Sequence, residues 1–96
     1  MHISIILDII FMSRHQKLLQ RFLTKPQDFT YDELTRLLQG FGYRELKGGK
    51  TSGSRVAFFH QGQRGLIRLH RPHSEKALKR YQLDDVEWEL KLKGFI

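Results

Sequence analysis

Apolar and polar positions alternate along the chain with two periods, and the change of period divides it. Residues 14–24 place Leu18, Leu19, Phe22 and Leu23 on one helical face, and Lys25-Pro26 ends that helix. Thr30-Tyr31-Asp32-Glu33 reads as a capping box, with Thr30 as cap and Glu33 reaching back. Leu34, Leu37, Leu38 and Phe41 form the stripe of a second helix, which Gly40 and Gly42 bring to a close. The period then falls to two. Tyr43–Lys47 is a short first strand, Gly48–Ser54 a turn, and Arg55–His60 a second strand. Gln61–Gly65 closes a hairpin and Leu66–His70 is the third strand. With Val56, Phe58, Ile67 and Leu69 facing the core, Arg55, Phe59, Arg68 and His70 share the outer face. Pro72 ends the third strand. Ser74 is placed to cap a helix over Glu75–Tyr81, and Gln82-Leu83-Asp84 is a bend or a new helix start. Leu83, Val86, Leu90 and Leu92 continue an apolar stripe, Gly94 stops it, and Phe95-Ile96 pack back.

This order of two helices, three strands and a closing helical region predicts an α+β domain of two layers. The 96 residues suffice for one core. The first stretch, MHISIILDIIF, lies outside the pattern. It lacks the basic start and small-residue cleavage site of a signal peptide. Its β-branched content would suit a strand, but Met12 opens a natural start, so the domain is expected over residues 12–96, with 1–11 an upstream extension; the alternative is an extra edge strand or a helical lead-in. No run approaches the ~18 apolar residues of a membrane span, so no membrane partner is expected.

Charge changes the picture. The formal net charge is +7, and the sequence pI is about 10.1. Such an excess favours nucleic acid, an acidic protein or an anionic surface as partner. There is no Cys, which excludes disulfides and thiolate chemistry and fits a cytoplasmic setting. Four Arg (55, 64, 68, 71) and three His (60, 70, 73) crowd into Lys50–His73.

The His do not fall at i, i+4 on one helix, and His70 and His73 flank a Pro in a loop, with no Cys in the chain to join them. No metal site and no cofactor are expected. Gly48-Gly49-Lys50-Thr51 lacks the frame of a nucleotide-binding loop, but Lys50 and the turn amides suit a phosphate backbone. RNA cleavage without a metal needs a base, an acid and a cation near the reacting phosphate. Imidazole supplies the first two and Arg the third. His70, His73, Arg55 and Arg68 have the right types, though the same residues also make a plain solvated basic face.

Several elements together resemble the HicA toxins of bacterial toxin–antitoxin modules. They are Phe29–Leu34 with Leu37-Leu38, Lys50–Val56 with Phe58, Leu69–His73, Leu78–Tyr81, and Gly94-Phe95-Ile96. The resemblance covers about Arg14 to Ile96 and is to a longer branch of the family. It implies a double-stranded-RNA-binding-like fold with a three-stranded antiparallel sheet packed by helices. It also implies an mRNA interferase, a metal-independent endoribonuclease, covered by an acidic HicB-type antitoxin. Compact members carry Gly-Ser-His on the second strand, where that His is taken as catalytic. Here the element reads Gly53-Ser54-Arg55. Arginine does not give up its proton near neutral pH. His73, whose Pro72-His73 resembles the Pro-x-His element after the third strand of the compact forms with a spacing that differs by one residue, and His70 are therefore the catalytic candidates. Lys50, Arg55, Arg68 and Arg71 are the candidate RNA contacts. The alternative is a non-catalytic module of the same fold that binds RNA or the antitoxin.

Overall fold

A computed structural model describes residues 12–46, 54–63, 65–73 and 76–96. In chain order the elements are α1 (Arg14–Leu23), α2 (Tyr31–Gly40), β1 (Arg44–Leu46), β2 (Arg55–His60), β3 (Gly65–His70) and α3 (Arg80–Leu92). The strands form one open antiparallel sheet in the order β1-β2-β3. The fold is α+β, as the periodicities require.

Both N-terminal helices begin at reciprocal capping boxes. Ser13 and Gln16 open α1, while Thr30 and Glu33 open α2. Each box satisfies two helix-end N–H groups that would otherwise lack partners. From α1, Phe22 is fully buried and Leu18 and Leu19 are partly covered. Leu23, expected on the same face, is exposed. Lys25 follows at φ 53, a left-handed backbone that costs a side-chain-bearing residue about 1–2 kcal/mol. That turn carries its ammonium to α3, where it meets Asp84 at 2.9 Å and Glu87.

The core lies between the helices and one face of the sheet. Leu34, Leu37 and Leu38 of α2 meet Phe22, Phe29 and Tyr31. Phe58 and Ile67 come up from the strands, and Leu83, Val86 and Leu90 close the layer from α3. Gly42 ends α2 at φ 100, where a Cβ would stand 2.7 Å from His60 Nε2. Behind it Phe95 packs against Phe41, Tyr43 and His60, so the C-terminus folds back as expected.

The expected helix over Glu75–Tyr81 does not form as such. Among the described residues the helix begins only at Arg80 and runs unbroken through Gln82-Leu83-Asp84 to Leu92. The segment before it is occupied by tertiary pairing. Ala77 bridges Thr30, the Leu78 N–H donates to the Phe29 oxygen at 2.9 Å, and Leu78 enters the core. Ser74, the expected cap, lies outside the described residues. The start of α3 instead rests on Gln82, whose Oε1 accepts from the Lys79 N–H at 3.0 Å. β3 begins one residue earlier than expected, at Gly65 opposite His60.

Candidate RNA-binding face

The register decides which side chains meet. Arg55 stands opposite His70, Ala57 opposite Arg68, and Phe59 opposite Leu66, with Arg44 on the far side of Phe59. Alternate residues point to opposite faces. Since Phe58 and Ile67 are buried, the other set forms the outer face: Arg44, Leu46, Arg55, Ala57, Phe59, Leu66, Arg68 and His70. Arg44, Arg55, Arg68 and His70 are all exposed there. Among the described strand residues this face holds no carboxylate, because Glu45 pairs with Phe58 on the inner side.

The hydrogen-bond phase brings Arg55 and His70 close. The Arg71 N–H donates to the Ser54 oxygen at 2.7 Å, so 54 and 71 form a hydrogen-bonded pair. The next pair, Arg55 and His70, is then of the non-hydrogen-bonded kind, in which Cα atoms approach to ~4.5 Å. Ser54 Oγ lies 3.4 Å from His70 Nδ1, at the outer limit of a hydrogen bond. On the other side of the strand, Gln82 Nε2 donates to the His70 main-chain oxygen at 2.9 Å. The imidazole thus rides on a backbone fixed from both flanks while its ring remains at the surface.

The structure separates the other candidates. Arg71 falls in phase with Leu69, on the helix side of the sheet. Its guanidinium sits 4.8 Å from the centre of the Tyr31 ring. The Tyr31 hydroxyl donates to Glu45 Oε1 at 2.5 Å. Burial, then the Glu45 carboxylate, push that hydroxyl far above the usual tyrosine range. Arg71 is therefore apart from Arg55 and Arg68, stacked over a core aromatic where a cation meets the negative ring face. His73 is exposed in the segment after β3, three residues past His70, and its main-chain oxygen accepts from the Lys76 N–H at 3.2 Å. Lys50 lies outside the described residues.

His60 and His15 serve packing. His60 Nε2 donates to the Phe41 oxygen at 2.9 Å, and its Nδ1 accepts from the Gln63 N–H at 3.0 Å. Those two bonds fix its tautomer and use both nitrogens. His15 Nε2 meets the Leu37 oxygen at 3.0 Å, with its ring edge-on to Phe41. Sequence reasoning missed Arg44. Its strand is three residues long, too short for alternation to show which face each residue takes, and only pairing with Phe59 assigns it. A second basic cleft, lined by Arg14, Lys17, Arg21 and Arg36, lies in the helical layer between α1 and α2. Arg21 there is already engaged by Glu33 at 2.7 Å and Asp28 at 3.0 Å.

A family model described as the HicA toxin of bacterial toxin–antitoxin modules matches residues 31–93, from the start of α2 to the end of α3. The match includes β1, β2 and β3 and with them the basic outer face. No curated protein and no solved structure matches the chain. Among the described residues, no helix is long and apolar enough to cross a membrane.

Proposed function

Because this chain belongs to the HicA family of toxins from bacterial toxin–antitoxin modules, we propose that it is a cytoplasmic endoribonuclease that cuts mRNA without a metal and is restrained by an acidic HicB-type antitoxin. The observation that carries the reading is the outer face of the sheet. Arg44, Arg55 and Arg68 flank it with His70, and among the described strand residues no carboxylate opposes them. Such a face attracts a phosphate backbone, and Phe59 offers an aromatic surface between the cations for a base to stack on.

The chemistry follows from the residue types. One imidazole takes the proton of a ribose 2′-OH. The 2′ oxygen then bonds to phosphorus and the bond to the 5′ oxygen breaks. The second imidazole returns a proton to the leaving 5′ oxygen. The products are a 2′,3′-cyclic phosphate and a 5′-hydroxyl, so atoms and protons balance. His73 and His70 take the two imidazole roles, and Arg55, directly opposite His70, stabilises charge on the phosphate. Lys50 and Arg68 hold the flanking backbone, as Arg71 would if RNA reaches round the strand end.

The test is cleavage of RNA by the purified protein in the presence of a chelator. His73→Ala and His70→Ala should each cut the rate by about 10²–10⁴-fold while the protein stays folded. His15→Ala should have no effect. Induced expression of the His73→Ala variant should no longer arrest growth. A specific observation favours a second reading: Arg55 stands where compact relatives carry a histidine, and it cannot act as a base near neutral pH. Salt-dependent RNA binding without any cleavage, together with harmless expression, would make the chain a binding module.

A further inference from the structure

Among the described residues β3 is an edge strand, and no other described strand pairs with its outward backbone. The bond between the Arg71 N–H and the Ser54 oxygen sets the alternation along the strand. Residues 65, 67 and 69 direct their amides and carbonyls to β2, and Leu66, Arg68 and His70 direct theirs away from it. Of these outward groups, the His70 oxygen is taken by Gln82 Nε2. Those of Leu66 and Arg68 make no backbone bond to any other described residue.

Beside this edge runs a groove of about 350 Å³ between β3 and α3. Its far wall is α3, with Tyr81, Asp85, Trp88 and Glu89. Tyr81 and Trp88 are seven residues apart on one helical face, 56% and 67% exposed. They are large exposed aromatic surfaces next to strand amides that pair with no other described residue. A groove between an edge strand and a helix suits an added strand, whose main chain pairs with the edge while alternate side chains enter the groove.

We propose that this edge receives an extended segment of a partner protein in which acidic and apolar residues alternate. The charge pattern chooses the occupant. A strand laid along β3 turns every second side chain onto the outer face, beside Arg68 and within reach of Arg55 and His70. Carboxylates fit there. The intervening side chains turn toward Tyr81 and Trp88, where Asp85 and Glu89 also line the wall, so those positions are apolar and uncharged. A second copy of this chain fits poorly. Two β3 edges paired about a two-fold axis would bring Arg68 and its mate together on one face, and like charges across a pair destabilise it. The proposal rests on the toxin–antitoxin reading for the partner's identity. Docking there would lay the partner over the strand that carries His70, and so restrain the proposed site.

Trp88 is the only tryptophan and reports on the groove directly. An end-blocked hexapeptide alternating Glu and Val is titrated into the full chain and followed by Trp88 emission. A saturable blue shift is expected, with the matching Lys–Val peptide at least about tenfold weaker. Arg68→Glu should reverse that preference. Leu66→Pro removes one outward N–H without touching the ladder to β2, since proline is tolerated at strand edges. It should weaken the Glu–Val peptide about tenfold, or 1.4 kcal/mol, with the thermal midpoint little changed. Should Leu66→Pro unfold the protein, the Arg68→Glu reversal decides. No saturable shift at millimolar peptide, equal binding of both peptides, or unchanged binding by a folded Leu66→Pro protein would overturn the proposal. So would a tenfold gain when the chain begins at Met12, which would assign the groove to residues 1–11. RNA cleavage is measured separately, so a protein that takes the peptide but cuts no RNA keeps this inference and loses the nuclease reading.

Discussion

The carboxamide of Gln82 joins the first turn of α3 to the end of β3, accepting from the Lys79 N–H at 3.0 Å and donating to the His70 oxygen at 2.9 Å. Gln82 is itself buried. Removing it leaves a helix-end donor and a strand carbonyl without partners. Such a change costs about 1–3 kcal/mol for each group that water cannot reach. Gln82→Ala should therefore lower stability in chemical denaturation by about that amount. Gln82→Glu keeps the acceptor for Lys79 and loses the donor to His70. At neutral pH it should cost at least as much as Gln82→Ala, because it also sets a carboxylate against a carbonyl oxygen.

The arginines should separate by face. Arg55→Ala and Arg68→Ala should each flatten the dependence of RNA affinity on salt, by ~0.7 in log–log slope for each single-strand phosphate the protein no longer neutralises. Arg44→Ala should do the same, although only strand pairing reveals it. Arg71→Ala removes a cation from the Tyr31 ring instead. Its main effect should be on stability, about 0.5–1 kcal/mol. Fluorescence anisotropy at several salt concentrations, with thermal melts of the same proteins, distinguishes the two outcomes. An Arg71→Ala slope change as large as that of Arg68→Ala would return Arg71 to the RNA-binding residues.

Acid should unfold the protein through its paired carboxylates. The hydrogen bond from Arg21 holds Glu33 below the usual range, and those from Lys25 and then Lys91 do the same for Glu87. A depressed folded value means that the stabilisation is present above the unfolded value, about 4.3 for Glu, and is lost as pH falls through the folded one. Stability should thus hold to about pH 4 and fall below it. Lys25 has the opposite sign. Burial works against its charge, but Glu87 and Asp84 outweigh it and raise its value. Its contribution is complete below about 10.4, the unfolded value, and fades only as pH rises through the folded one. Urea titrations from pH 2 to 7 should show a shallower acid limb for Glu33→Gln and Glu87→Gln than for the parent.

Residues 1–11 should prove dispensable. The family match begins at Tyr31, and the described domain begins its capped first helix after Ser13. A protein starting at Met12 should melt within a degree or two of the full chain, since 1 kcal/mol moves a domain of this size by about 4–8 °C. A drop of several degrees would make the extension a structural element.

The sequence by itself determined what depends on near neighbours. Leu34, Leu37 and Leu38 recur at helical spacing, and Thr30 with Glu33 closes a capping box within four residues. The alternation in β2 and β3 sorted Phe58 and Ile67 inward and Arg55, Arg68 and His70 outward, because successive strand residues must take opposite faces. Tertiary structure decided what depends on distant partners. α3 starts at Arg80 rather than Glu75 because Ala77 and Leu78 are held by Thr30 and Phe29, a pairing that no local propensity announces. Arg71 leaves the basic face because Tyr31 waits on the other side of the sheet. Arg44 joins that face because a three-residue strand takes its phase from Phe59. His60, one imidazole among several in the chain, becomes a packing residue because Phe41 and Gln63 claim both of its nitrogens.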